Sequence, residues 1–215
     1  MALDRYAWLK RLAARVPRNG LVMSTYIGAV GFEWAALTRE HPRTALLGQM
    51  GNVIGLALGL ALALPHRKVV CLDGDGSVLM ELGQLVALGQ EAPPNLAVFV
   101  VDNGAYESIG RGKRGPRPTA TAGKADLAAM ARAAGVPYTA NVETLKQLEA
   151  EMKLAFGKPG CRFINVRTLP GHAHVPPRQV DGFEEKYRFV RYVERLEKIR
   201  ILNLARQDRQ LMKRP

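Results

Sequence analysis

Residues 69–80 read "VVCLDGDGSVLM". Four apolar residues suited to a buried strand, Val69 to Leu72, run straight into Asp73 and Asp75, with Gly74, Gly76 and Ser77 among them, before the chain turns apolar again. Buried carboxylates are costly unless they are paired or hold a metal, so this stretch marks a strand end that carries chemistry. On either side of it, strand-length apolar runs rich in β-branched residues alternate with longer helical patterns. Strands are expected at 21–24, 44–47, 68–72, 96–101 and 162–166, and helices at 26–38, 50–64, 78–91, 124–135 and 143–156. Continuous rather than alternating apolar runs are what a parallel sheet covered on both faces requires. The predicted fold class is therefore α/β: a doubly wound, mostly parallel sheet with helices on both faces, plus a C-terminal helical appendage.

At 215 residues the chain is long enough to bury a core without covalent staples. The expected organisation is a helical, basic N-terminal extension over 1–20, the main domain over 21–170, and a linker with a basic amphipathic tail over 171–215. Residues 1–20 are too charged and too broken for a secretory signal. The longest apolar run, 50–64, has 15 residues closed by Pro65, short of the roughly 20 that cross a bilayer. The chain reads as cytoplasmic, without membrane contact. Cys71 and Cys161 fall in apparent strands far apart in sequence and read as small buried hydrophobes. Along 50–64, Gly51, Gly55 and Gly59 recur every fourth position near Ala57, Ala61 and Ala63, leaving one helix face nearly bare. Such a face suits packing on the sheet or packing across a subunit interface.

The formal charge is +12, which raises the question of nucleic acid. Its distribution argues against that. Residues 1–20 hold five basic and one acidic side chain, residues 111–124 five basic and none acidic, and residues 171–215 eleven basic and six acidic. The excess sits at the ends and in one loop, "RGKRGPRPT", which has no interleaved aromatic residues for base stacking. A solvated surface or recognition of small anions fits better. After the linker "PGHAHVPP", residues 181–204 read as an amphipathic helix with Phe183, Tyr187, Val190, Val193 and Leu196 on one stripe, expected to pack on the parent domain or a partner subunit. His172 and His174 lack further ligands nearby and read as solvated.

In an open α/β sheet, ligands bind outside the carboxyl ends of strands, which is where Asp73, Asp75 and Ser77 stand. A calcium loop counted from Asp73 would need Gly at its sixth position and Glu at its twelfth. Those positions are Val78 and Gln84, so the loop fails. Asp-x-Asp-Gly-Ser after an apolar strand also resembles the nucleophile motif of haloacid dehalogenase-like phosphatases. No later pair of carboxylates at a strand end supports that reading. A third reading needs one carboxylate and one amide to hold Mg²⁺ over a diphosphate, since this ion takes few carboxylates when phosphates supply its other oxygens. The next apolar strand ends 26 residues after Gly76, in "LAVFVVDNGAYESIG". A strand, helix and strand of this length place the two turns side by side, so Asp75 and Asn103 can approach one metal.

"GDGS", this gap and "DNGAY" resemble the diphosphate-binding signature of thiamin diphosphate enzymes. With "LLGQMGNVIGLALGLALALPHRKVVCLDGDGS", "KADLAAMARAAGV" and "GCRFINVRT", the resemblance extends over about residues 20–170 and is most similar to the β chains of sulfopyruvate decarboxylase and the matching half of phosphonopyruvate decarboxylase. It implies thiamin diphosphate and Mg²⁺ as cofactors, the metal being held by Asp75, Asn103 and the backbone carbonyl of Ala105. It further implies that Gly74, Gly76, Ser77, Tyr106 and Ser108 line the cofactor site. Gly76 would admit the backbone to the diphosphate, and Ser77 would offer hydroxyl and amide donors to it. Met50 would prop the cofactor, and the Gly48 carbonyl would accept from its pyrimidine. Asp102 replaces the usual first Asn of the pair at a position that is not a ligand, and Asp73 reads as support for the turn.

The activating glutamate of such enzymes lies on a pyrimidine-binding domain, for which neither the first 20 residues nor the tail has room. No catalytic residue is therefore expected in this chain. The resemblance implies a separate pyrimidine-binding α subunit in a self-associating hetero-oligomer, and a small anionic 2-oxo acid as substrate. Arg111, Lys113, Arg114 and Arg117 could bind that anion, bind the partner, or be solvated. The activity implied is 2-oxo acid decarboxylation. Its alternatives are an acetolactate synthase-type carboligase, a non-catalytic cofactor-binding subunit, or the phosphatase.

Overall fold

The apolar run that ends at Asp73 lies inside a six-stranded parallel sheet. The structure is a computed structural model and describes residues 2–108, 115–176 and 180–202. In chain order the elements are α1 (Arg5–Arg15), β1 (Leu21–Thr25), α2 (Ala29–Thr38), β2 (Thr44–Leu47), α3 (Val53–Ala63), β3 (Val69–Gly74), α4 (Asp75–Met80), α5 (Gly83–Glu91) and β4 (Leu96–Asp102). They continue with the two-residue β5 (Ala105–Tyr106) and β6 (Arg117–Pro118), then α6 (Leu127–Ala133), β7 (Tyr138–Val142), α7 (Leu145–Gly157), β8 (Arg162–Arg167) and α8 (Gly182–Glu197). The sheet order is β2-β1-β3-β4-β8-β7, and β5 pairs with β6 as a separate antiparallel ribbon.

The strands read as unbroken apolar runs because alternate residues supply two different cores. Val69, Cys71, Leu96, Val98, Val100 and Phe163 face a cluster with α3, α5, α6 and α8. Val70, Leu72, Ala97, Phe99, Val101 and Ile164 face a second one built with α1, α2 and α7. Trp8, Leu9 and Leu12 of α1 are fully buried in that second cluster, and Leu3 bridges to Thr168 beside β8. Both cysteines are buried and unpaired. No helix among the described residues is long and apolar enough to cross a membrane.

Several elements differ from the sequence reading. The helix expected over 78–91 is two helices, broken at Glu81 and Leu82, and α4 already begins at Asp75. Gly83, a poor helix-interior residue, opens the second one. The edge strand β7 was not expected: "YTANV" pairs only with β8, buries just its last residue fully, and so lacks an apolar run. The bare face of α3 does not lie on the sheet. Val53, Ile54, Ala57, Leu58 and Ala61 pack inward, while Gly55 and Gly59 are exposed with open space around them. On α8, which ends at Glu197 rather than 204, the packed residues are Phe189, Tyr192, Val193 and Leu196. Phe183 and Tyr187 of the expected stripe face outward, at 73% and 40% exposure.

Gly89 of α5 shows how closely neighbouring helices of one layer approach: a Cβ there would stand 1.9 Å from the carbonyl oxygen of Ala134, the C-cap of α6. In an open helix Gly→Ala gains up to about 1 kcal/mol. Here Gly89→Ala is expected to cost about 1–3 kcal/mol through overpacking, read as a lowered urea-unfolding midpoint.

Candidate functional site

Strand order reverses direction between β1 and β3, and ligands in such sheets bind outside the carboxyl ends at that point. A half-open cleft lies there. Its lining brings together Met50, Gly74, Asp75, Gly76, Ser77, Asn103, Ala105, Tyr106 and Ser108, which the sequence had placed on three separate turns. Gly48 is exposed after β2 and does not line this cleft. Arg111, Lys113 and Arg114 lie outside the described residues. Arg117 is exposed on β6, opposite Tyr106 in the ribbon. His172 and His174 are exposed, with ring centroids 6.4 Å apart.

Asp75 ends the strand-to-helix turn and is only 2% exposed. Its Oδ2 accepts from the hydroxyls of Thr119, at 2.6 Å, and Thr121, at 2.8 Å. Burial raises the pKa of Asp75 and the two threonines work against that rise, with Asp102 adding repulsion. The threonines return from the far side of the basic loop, where the Thr119 amide donates to the Gly104 carbonyl at 2.9 Å. Arg167 then ties this corner to the next strand. Its guanidinium donates to Asp102 Oδ2 at 2.8 Å and to the Thr121 carbonyl at 3.0 Å, while Asn165 donates to the same Asp102 oxygen at 2.8 Å. Asp102 thus stands in an ion pair behind the cleft.

Asp73 is fully buried, with Oδ1 accepting from the Gly74 amide at 2.9 Å and Oδ2 without a hydrogen-bond partner. Burial pushes its pKa up to about 7, against the opposing pull of the nearby Ser77 hydroxyl and the Gly74 amide. An acid enclosed in this way supports the turn, and it is badly placed to be the attacking group of a phosphatase. Ser77 Oγ accepts from the Gly51 amide at 2.9 Å, pinning the start of α4 to the turn before α3. Asn103 Oδ1 accepts from the Ala105 amide at 3.0 Å, which curls the turn that carries the Ala105 carbonyl. Gly76 has an immediate reason of its own to lack a side chain. A Cβ there would stand 2.4 Å from the Tyr106 ring, which covers the turn.

Sequence reasoning missed Thr119 and Thr121, the β1–α2 turn with Thr25 and Gly28, and the charged pair Arg5 and Glu107, all of which belong to the cleft or hold its residues. Gly28, three residues beyond the end of β1 at Thr25, was a weak signal for the β1–α2 turn, but the helical pattern read over 26–38 ran across it. Arg5 and the threonines carried no local signal.

The family described as "Thiamine pyrophosphate enzyme, C-terminal TPP binding domain" matches residues 6–166. The chain belongs to this family. It is 37% identical to phosphonopyruvate decarboxylase of Streptomyces viridochromogenes, over 78% of this chain and 40% of that protein. It is 31% identical to sulfopyruvate decarboxylase subunit beta of Methanocaldococcus jannaschii, over 87% of this chain and 95% of the relative. In fold it is similar to the thiamine diphosphate-dependent 4-hydroxybenzoylformate decarboxylase of Rhodococcus jostii RHA1, with a TM-score of 0.66 at 21% identity, over 80% of this chain and 34% of that one. The chain therefore spans about 40% of one curated relative and nearly the whole of another, which is itself a subunit.

Thr121→Val keeps the side chain's shape but deletes a hydroxyl that serves a dry carboxylate. It is expected to lower unfolding stability by about 1–3 kcal/mol, whereas the exposed Arg117→Ala changes it by less than about 0.5 kcal/mol. Urea denaturation of the two variants checks the contrast.

Proposed function

We propose that this chain is the diphosphate-binding subunit of a thiamin diphosphate and Mg²⁺-dependent decarboxylase acting on a small anionic 2-oxo acid, with a separate pyrimidine-binding chain as its partner. The observation that carries the reading is the meeting of Asp75, Asn103 and Ala105 in one cleft at neighbouring strand ends, in a chain of this family. The charges of the cleft fit a cation-bridged anion. Its charged lining is Arg5, Asp75 and Glu107, and Arg5 is already bound to carboxylates. A diphosphate entering such an acidic cleft needs a divalent ion to offset the repulsion.

In this reading Asp75 gives the metal a carboxylate, Asn103 a side-chain amide oxygen and Ala105 a backbone carbonyl, a hard-oxygen set suited to Mg²⁺. Thr119 and Thr121 keep the Asp75 carboxylate oriented, and Ser77 and the Gly76 backbone offer polar contacts to the diphosphate. Met50 and Tyr106 supply apolar walls. The chemistry that thiamin diphosphate supplies when bound is an electron sink for the pair released as carbon dioxide leaves. Two relatives are named for sulfopyruvate and phosphonopyruvate, both carboxylates with a second anionic group. That supports a dianionic substrate, with Arg111, Lys113, Arg114 and Arg117 as the candidate contacts to its second charge. The relative named as a β subunit supports the partner chain.

The test is to co-purify the chain with the product of a neighbouring pyrimidine-domain gene and measure carbon dioxide release from sulfopyruvate, phosphonopyruvate and pyruvate. Release with formation of the corresponding aldehyde is the expected result, and Asp75→Ala should lose at least a hundredfold in rate, about 2.7 kcal/mol. A longer hydroxyketo acid in place of the aldehyde would make it a carboligase. No release from any of the three acids would overturn the reading.

A further inference from the structure

Arg5 sits at the first turn of α1, is 3% exposed, and lines the cleft although it comes from a part of the chain remote from all three turns. Its Nε donates to Glu33 Oε2 at 3.0 Å and one terminal nitrogen to Glu33 Oε1 at 3.1 Å, while the other donates to Glu107 Oε2 at 2.9 Å. The Gly171 carbonyl accepts from the same guanidinium. Both carboxylates are completed from the segment that follows β8. The Gly171 amide donates to Glu107 Oε1 and the Ala173 amide to Glu33 Oε1, each at 2.9 Å. One cation thus holds together α1, α2, the residue after β5 and the chain beyond β8.

Glu107 is the link to the cleft. It directly follows Ala105 and Tyr106, which among the described residues are also held by the two-residue ribbon with β6, the bond from the Ala105 amide to Asn103 Oδ1 and the packing of the Tyr106 ring on Gly76. A short ribbon by itself is marginal in water. Anchoring Glu107 to a buried guanidinium fixes the far end of this turn and so the Tyr106 ring that covers Gly76. Arg suits the task because its planar fork meets two carboxylates and a carbonyl at once, which a lysine ammonium cannot do in the same geometry. The family match begins at residue 6, so Arg5 lies outside it.

We infer that Arg5 is a positioning residue that, through Glu107, sets the turn 103–108 in the form that receives metal and diphosphate. The structural part of this inference stands on the geometry alone, and its consequence for cofactor binding rests on the function proposed above. Amide hydrogen exchange of the full chain without cofactor tests the first part. Arg5→Met is expected to speed exchange at Ala105, Tyr106, Glu107 and Ser108 at least tenfold. Arg5→Lys should fall between it and wild type, and Glu107→Gln, which keeps an acceptor for the Gly171 amide, should loosen the same residues by several fold. Leu88→Ala, which cuts a cavity in the core on the opposite face of the sheet, controls for general destabilisation and should leave the turn's exchange within about twofold of wild type. Equal exchange at the turn in wild type, Arg5→Met and Glu107→Gln would overturn the inference. So would a Leu88→Ala effect as large as that of Arg5→Met.

Titration of thiamin diphosphate with Mg²⁺ into the chain and its co-purified partner then separates the two claims. At least tenfold weaker binding by Arg5→Met supports both. Wild-type binding that Arg5→Met matches refutes the positioning role for the cofactor. No binding by wild type refutes the proposed function, while the exchange result still decides whether Arg5 orders the turn.

Discussion

A carboxylate kept nearly dry must be given donors or a cation, and Asp75 is the side chain on which the carboxyl edge of this sheet is organised. Its two threonine hydroxyls come from the segment that follows the basic loop, which ties residues 119–121 to the end of β3. The same segment offers the Thr121 carbonyl to Arg167, whose guanidinium also neutralises Asp102 at the end of β4. Three neighbouring strand ends, β3, β4 and β8, are thereby joined in one polar layer at the carboxyl edge of a sheet whose core-facing residues are mostly apolar. Within it Asp102 Oδ1 and Asn165 Oδ1 are buried without a hydrogen-bond partner among the described residues, so its order rests on the bonds accepted by the Oδ2 atoms of Asp75 and Asp102.

The layer has a counterpart on the other side of the cleft. Arg5, Glu33 and Glu107 form a second buried charged cluster, and its cation is carried in by a helix whose own hold on the sheet is apolar, through Trp8, Leu9 and Leu12. The division of labour is physical. Apolar burial is non-directional and supplies most of the free energy that docks α1, whereas the guanidinium fork is directional and specifies where the following groups sit. Both charged clusters contribute to the cleft lining, Asp75 from one and Arg5 and Glu107 from the other, and the Tyr106 ring lies against Gly76 there.

The chain by itself determined the sheet, the approximate strand ends and the meeting of Asp75 with Asn103. Those features follow from local patterns: continuous apolar runs, turn residues directly after them, and a strand–helix–strand length that leaves neighbouring parallel strands as the economical arrangement. Motif resemblance added the ligand chemistry for the same reason, since its residues are contiguous. The edge strand β7 escaped notice because a strand buried on one side only shows no continuous run, and the break between α4 and α5 because a helical period persists across it. Only the tertiary structure decided that Thr119, Thr121, Arg5 and Glu33 serve the site, that Gly48 stands outside the cleft, and that the bare face of α3 looks outward. Each of those depends on where long-range packing points a side chain. Period and spacing in the sequence report the face of an element, while the partner across the fold is chosen by the closure of the whole sheet.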